Sequence, residues 1–304
     1  MKKKSDRSAA SNSIRRTKGE RIGNHIILIL LGLLSLIMLY PFWYVIMYSI
    51  SDPKQALGGG LFLYPKGINF YSYELVLKNS QIWVAYKNTI LKTFVGTVLS
   101  VLLSAMTAYP LSVKRLRGRG VISMYIFFTM LFGGGTIPTY LLVKNLGLID
   151  TFSAWVLPGA ISAYNMFILR NYMQSLPSEL EESARMDGAR ATTILFRIVI
   201  PLSTPSLAAI AMFYGVGNWN SYMDCLLYTN SNSLQTLQLY LRQVLLQTSS
   251  SNAAMTVAGN ASEYVSDTQV QMVVVAVSII PILIVYPWLQ RFYTKGITVG
   301  AVKG

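Results

Sequence analysis

Long stretches without Asp, Glu, Lys or Arg alternate along this chain with short charged ones. The first, His25 to Ile50, follows a polar start that carries Lys2, Lys3, Lys4, Arg7, Arg15, Arg16, Lys18 and Arg21. Further uncharged stretches run Thr93–Val113, Val121–Val143, Thr151–Leu169, Ile198–Met223 and Val270–Gln290. Each is about 19 to 26 residues long, against the roughly 20 that a helix needs to span the hydrocarbon of a bilayer. The pattern predicts six transmembrane helices. Cys225–Leu241 is uncharged too, but Asn230, Ser231, Asn232, Ser233, Gln235 and Gln238 make it too polar to span. The first run exceeds the apolar core of a secretory signal, roughly 7–15 residues, and lacks a small-x-small cleavage site, so it reads as an uncleaved helix.

Composition agrees. Of the 304 residues, 53% are hydrophobic and only 12% are charged, where a soluble domain carries about 25% charged residues. A formal charge of +14 would suit nucleic acid if the basic residues lined one polar face; instead they flank the apolar runs, as the positive-inside rule describes. With the N-terminus inside, the cytoplasmic segments hold 19 of the 26 Lys and Arg residues. That orientation puts both termini, and the region Glu181 to Pro201, in the cytoplasm. The expected organisation is a basic cytoplasmic tail over 1–24, a single six-helix transmembrane domain over 25–295 and a cytoplasmic C-terminal tail over 296–304. Cys225 is the only cysteine, so there is no intramolecular disulfide, and His25, the only histidine, reads as an interfacial residue at the head of a run. No metal site is visible.

Pro41, Pro110, Pro138, Pro158, Pro201, Pro205, Pro281 and Pro287 lie within or at the ends of the runs and mark bends. Gly133, Gly134 and Gly135 permit either a break or a close helix contact, and close packing is the expectation. The first external segment, Ser51 to Lys87, reads as a loop with short structured pieces. The last, about 224–267, is long; its Leu234–Val244 part predicts a surface amphipathic helix, and Thr248–Asn260 is Ser-, Ala- and Asn-rich and flexible, with a functional role and a plain connector both open.

The most informative charged stretch is Glu181 to Pro201, within a loop of about 177–197. Ser178 followed by Glu181 has the spacing of a capping box, so a helix should start just after Pro177. Glu179, Glu181 and Glu182 crowd its first turn, where the helix dipole favours negative charge. Gly188 falls where a short helix needs a left-handed residue to end. Glu182, Ser183 and Ala184, then Gly188, Ile198 and Pro201, resemble the EAA loop of ATP-binding-cassette importer permeases: Glu-Ala-Ala, three residues, Gly, nine residues, Ile, one residue, Leu-Pro. Two positions depart conservatively, Ser183 for the first Ala and Ile200 for the Leu. The resemblance implies that Glu181, Glu182, Ser183, Ala184, Asp187 and Gly188 form a coupling helix seated in a cleft of a separate ATPase.

No enzyme constellation is present. Without a G-x-x-x-x-G-K-[ST] phosphate loop the chain is not itself the ATPase, and the uncharged runs argue against a proton-coupled carrier or ion channel. A path for a polar, uncharged solute would use aromatic, amide and hydroxyl groups. The candidates are Tyr164 and Asn165 in the fourth run, and Tyr214, Asn218, Trp219, Asn220 and Tyr222 at the outer end of the fifth. Phe132–Thr151, the Tyr164–Asp187 region and Gly300–Gly304 are similar to the maltose-permease-like, carbohydrate-uptake branch of these permeases, in a subgroup for oligosaccharides or polysaccharide fragments. The resemblance implies a type I importer permease fold, all-α and polytopic, in the cytoplasmic (inner) membrane of a prokaryote. It implies as partners a second homologous permease subunit, a dimer of ATPase subunits and an extracytoplasmic substrate-binding protein. It also implies a C-terminal tail, Gly300–Gly304, that reaches between the ATPase subunits. No cofactor is expected on this chain; ATP and Mg would be used by the ATPase. The same machine for another solute, and a stand-alone facilitator or scaffold, stay open as alternatives.

Overall fold

The computed structural model describes residues 18–56, 58–247 and 266–301. Most of the basic tail, the Thr248–Asn260 segment and the last three residues lie outside that set. Among the described residues every regular element is helical, with one isolated bridge between Ser51 and Ile68. In chain order these are α1 (Lys18–Ser49), α2 (Pro53–Ala56), α3 (Tyr71–Lys78), α4 (Ser80–Ser112), α5 (Arg119–Leu131), α6 (Thr136–Asn145), α7 (Ser153–Val156) and α8 (Ala163–Gln174). There follow α9 (Ser178–Met186), α10 (Ala191–Leu202, with a π-helical turn over Leu195–Val199), α11 (Thr204–Asn220), α12 (Met223–Tyr228), α13 (Leu237–Gln247) and α14 (Asp267–Ala301).

Among the described residues, three helices are long and apolar enough to cross a membrane: Ile22–Ser49 of α1, Ser80–Ser112 of α4 and Asp267–Val285 of α14. Two of the other expected spans are each a pair of helices with a sharp bend. Val121–Val143 turns by 111° between α5 and α6. The turn is made at Phe132–Gly135, where Gly135 takes a left-handed φ of 88° and a β-carbon built on Gly133 or Gly134 would meet nothing within 4 Å. The glycine run is therefore a break and not the close helix contact expected of it. Ile198–Met223 bends by 84° at Ser203, between α10 and α11. Pro205 lies in the first turn of α11, where its missing N–H costs nothing, and its ring opposes continuation of the preceding helix. Thr151–Leu169 is not one helix either. Leu157 keeps helical dihedrals and its amide still bonds the Ser153 carbonyl at 2.9 Å, but Pro158 has no N–H to carry the ladder on, so α7 stops there. The next helix, α8, restarts after Ser162, whose hydroxyl accepts the Asn165 amide at 3.4 Å.

The long helix α4 organises the rest. Its 33 residues rise about 50 Å, more than the bilayer's roughly 30 Å of hydrocarbon. Its inward stripe is small or polar, with Asn88, Lys92, Gly96, Ser100, Ser104 and Ala108 all buried at intervals of four. Its outward stripe is apolar, with Ile90, Leu91, Phe94, Val98, Leu102 and Met106 all exposed. Such a helix suits lipid outside and close backbone approach inside. At one end, Ala105, Ala108, Tyr109 and Leu111 join Met166, Leu169 and Met173 of α8, Ile194, Leu195 and Val199 of α10, and Ile210 and Tyr214 of α11 in one core. At the other end, Ile82 and Ala85 join Val76 of α3, Leu237, Tyr240 and Val244 of α13, and Val270, Val273, Val274 and Val277 of α14. The predicted surface helix over Leu234–Val244 thus starts at Leu237 and buries its apolar face in a core. Of the membrane-length stretch of α1, only Tyr48 and Ser49 at its end are buried.

Because α4 begins at Ser80, Lys92 belongs to a membrane-length helix, against the expectation that such charge is absent. Its side chain is fully buried and its ammonium donates to Asp224 of α12. Asp224 also accepts from the Ser221 hydroxyl at 2.7 Å and the Cys225 amide at 2.9 Å. A second carboxylate, Asp150, ties the α6–α7 loop to the segment after α12: it accepts from the amides of Asn230 and Ser231, each at 3.0 Å, and from the Ser231 hydroxyl. The Ser231 hydroxyl bond above all, then the two amides, hold its carboxyl below the usual carboxylate range. A lowered folded-state value favours the clasp above the ordinary carboxylate range and releases it only as pH falls through the lowered value.

The ion pair generates a prediction. Asp224→Ala leaves the Lys92 charge buried without a partner and is expected to cost about 3 kcal/mol, whereas the double substitution Lys92→Met with Asp224→Leu costs far less. Thermal unfolding of the three proteins in one detergent checks the ranking.

Candidate docking loop and solute path

The loop after α8 starts its helix directly after Pro177 and ends it at Gly188, both as the sequence leads one to expect, but the start is capped differently. Pro177 occupies the N-cap of α9, and no side chain caps the helix. Ser178 is already the first helical residue, so the capping box does not form. Proline is accommodated there because an N–H at the start of a helix has no intrahelical carbonyl to bond, so its missing donor costs nothing, and its ring holds φ at −58°. Glu179 and Glu181 still occupy the first turn. At the other end the Gly188 amide donates to the Arg185 carbonyl at 3.0 Å and the Ala189 amide to the Ala184 carbonyl at 2.9 Å. These two bonds make a Schellman turn, and Gly188 takes the left-handed φ of 79° that it requires.

The helix has two faces. Ala184 and Ala189 pack against the core that α4, α8 and α10 build. Glu179, Leu180, Glu182, Ser183, Met186, Asp187 and Gly188 are exposed, Met186 by 89%. Of the six residues expected to couple to an ATPase, Glu182, Ser183, Asp187 and Gly188 therefore lie on the outer surface and Ala184 faces inward. Glu181 is also turned inward: it accepts from the Tyr109 hydroxyl of α4 at 2.9 Å and pairs with Arg185 one turn along. Tyr109 had no signal in the sequence beyond being a tyrosine beside a proline in an apolar run. Its side chain lines a cleft of about 440 Å³ together with Pro110, Arg115, Arg185, Leu195 and Phe196, among others.

The seven residues expected along a solute path do not form one surface. Tyr164 is exposed in an open cleft of about 560 Å³ between α5 and α8, with Ser123, Phe127, Phe167, Arg170 and Asn171. Its neighbour Asn165 is buried. Tyr214 is buried as well, and its hydroxyl bonds the Ser104 hydroxyl at 2.7 Å and accepts the Ser162 amide at 2.9 Å. Those bonds tie α11 to α4 and to the start of α8, which makes Tyr214 a structural residue in this conformation. Asn218 fills the space over Gly96, where a β-carbon would come within 2.9 Å of its amide nitrogen. Trp219 packs on the α3–α13–α14 core with its buried indole N–H unpartnered. Asn220 is exposed at the end of α11, and the ring of Tyr222 lies under the Arg242 guanidinium at 5.0 Å.

Comparison with known proteins bears on what these surfaces serve. Residues 82–299 match the family model described as binding-protein-dependent transport system inner membrane component. The chain is 39% identical over 270 residues to the polygalacturonan/rhamnogalacturonan transport system permease protein YtcP of Bacillus subtilis strain 168, covering 89% of this chain and 94% of that one. It is 37% identical to protein LplC of the same organism over 297 residues, or 97% and 100% of the two chains. Among solved structures, a chain of a bacterial ABC transporter involved in the import of the acidic polysaccharide alginate superposes with a TM-score of 0.83. The two are 34% identical, over 91% of this chain and 99% of that one. The neighbour's fold is the type I importer permease fold expected from the sequence.

The bonding of Tyr214 sets a testable outcome. Tyr214→Phe removes one hydroxyl and strands the Ser104 hydroxyl and the Ser162 amide, so a loss of about 1–3 kcal/mol is expected. A midpoint of thermal unfolding unchanged from wild type in the same detergent would show that the three-helix tie is dispensable.

Proposed function

This chain belongs to the family of binding-protein-dependent transport system inner membrane components, and on that premise we propose that it is a permease subunit of an ATP-driven importer for carbohydrate, an oligosaccharide in particular. Members of the family are transport permease subunits and not catalysts, and they reside in the inner (cytoplasmic) membrane of bacteria as multi-pass proteins. The reading of the solute as a polysaccharide fragment rests on the names of relatives that handle polygalacturonan, rhamnogalacturonan and alginate.

The observation that carries the coupling role is α9. It is a short acidic helix, ended by a left-handed glycine, that turns Glu182, Ser183 and Asp187 outward while Ala184 seats it on the core. Six crossings are formed by α1, α4, α14, the two bent pairs and the α7–α8 pair, with both termini cytoplasmic. That topology sets α9 on the cytoplasmic side, where an ATPase can meet it. The partners are a second homologous permease subunit, an ATPase dimer that uses ATP and Mg, and an extracytoplasmic substrate-binding protein; this chain binds no cofactor itself. The chain takes its energy from the ATPase as rigid-body movement, delivered through α9. Tyr164 in its cleft, and Asn220 at the end of α11, are the path candidates whose side chains are exposed for a solute.

Purification of the tagged chain from its native cells in a gentle detergent tests the assembly. Two ATPase copies and one different permease per chain are expected; recovery alone, or as a homo-oligomer even after crosslinking, would count against an importer. Within an assembled complex, Gly188→Val places a branched side chain at a left-handed φ, strained by about 1–2 kcal/mol. Uptake of an oligosaccharide that wild-type cells accumulate is then expected to fall at least tenfold, and undiminished uptake would remove the turn from the mechanism.

A further inference from the structure

We propose that Tyr109, Glu181 and Arg185 form a polar lock that fixes the docking helix α9 to α4, so that displacement of α9 is delivered to the long helix and not absorbed at the loop. The inference rests on the reading of α9 as the face that meets an ATPase. The Tyr109 hydroxyl ties α4 to α9: it donates to Glu181 at 2.9 Å and also interacts with Arg185, one helical turn along. The Tyr109 ring is buried and the hydroxyl has a fixed direction, while Glu181 and Arg185, one helical turn apart, keep only 25% and 30% of their side chains exposed. The apolar attachment of α9 is slight, since the helix itself has no buried residue and leans on the core through Ala184. A helix held so lightly moves independently unless a directional bond restrains it.

The surroundings give such movement somewhere to go. A cleft of about 440 Å³ opens beside Tyr109 and Arg185, lined by the last turn of α4 and the first turns of α10, which pack together deeper in the core. Pro110 follows Tyr109 directly and lacks the N–H that would bond the Met106 carbonyl, so the last turn of α4 is the less firmly held part of that helix. The lock engages at the residue before it. A charge-assisted bond is also shorter in reach and stronger than a neutral one, and Glu181 receives two such donors on the same oxygen, Oε1. Arg185 thus holds the carboxylate in place for Tyr109, which makes Arg185 and Glu181 positioning residues and leaves Glu182 and Ser183 as the outward contacts.

An ordinary helix-stabilising pair between Glu181 and Arg185 would need no Tyr109, and this separates the two roles. The complex is purified with its native ATPase and partner permease, and hydrogen–deuterium exchange is measured without nucleotide and after trapping with MgATP and vanadate. In the wild type, trapping is expected to change exchange in both 178–188 and 103–112. Tyr109→Phe, which alters neither the charge nor the helix propensity of α9, should keep ATPase recovery and the change in 178–188 while the change in 103–112 falls at least twofold. Glu181→Gln, which retains an acceptor for the hydroxyl, should keep the response in 103–112. Glu181→Ala should lose it, and adding Tyr109→Phe to Glu181→Ala should cause no further loss. An undiminished response of 103–112 in Tyr109→Phe overturns the lock alone. A wild-type chain that recovers no ATPase overturns the docking reading, and the lock with it.

Discussion

Close approach of α4 and α11 is the contact on which the remaining structure depends. Inside a bilayer, apolar side chains gain little by leaving lipid for one another, so helices associate through tight packing and a few directional bonds. The α4 stripe meets that condition: Gly96 lets Asn218 lie against the backbone, and Ser104 bonds Tyr214. Tyr214 in turn fixes the start of α8 through the Ser162 amide. Three helices are thereby joined around one phenol, and the apolar core next to it inherits its geometry from that junction. The apolar side chains of α4 are left pointing outward, the reverse of a soluble helix.

Charge is confined to the two ends of this arrangement and does different work at each. At the α12 end, the fully buried Lys92 meets a partly buried Asp224, with Ser221 and the Cys225 amide completing the shell of the carboxylate. Such a pair adds little net stability but penalises any arrangement in which one partner is left behind. At the α9 end, the ionised groups are half-exposed and shared between a packing face and an outward face. One end is built to stay closed on itself; the other presents a surface.

Much of this was legible in the sequence, and the exceptions have physical reasons. The uncharged runs located α1, α4 and α14, because membrane-length hydropathy is a strong signal. The left-handed role of Gly188 was also legible, since few residues other than glycine tolerate that conformation. Run length said nothing about the bends at Gly135 and Ser203, as a broken pair has the same composition as a straight span. Glycines at 133–135 can serve a break or a contact equally, and only the empty space beside them decides. The capping box failed because Pro177 competed for the same position. The path candidates scattered because residues at successive positions of α11 point to different neighbours: Tyr214 inward to α4, Trp219 to α14, Asn220 outward. The partners Tyr109–Glu181 and Lys92–Asp224 are 72 and 132 positions apart, beyond what any local spacing can register.

The two bent pairs have a consequence for biogenesis. At 13 and 10 residues, α5 and α6 are each shorter than the hydrocarbon is thick, and α10 and α11 part at a similar corner. Segments of this kind do not hold a transmembrane position on their own, because an unfinished turn exposes backbone amides and carbonyls to lipid. The straight helices can enter the bilayer as they emerge, each by its own hydropathy. The bent ones must wait for neighbours that accept their loose backbone groups. Hydropathy alone is therefore a weaker guide to where the bent segments settle than it is for α1 and α4, and packing partners carry more of that task.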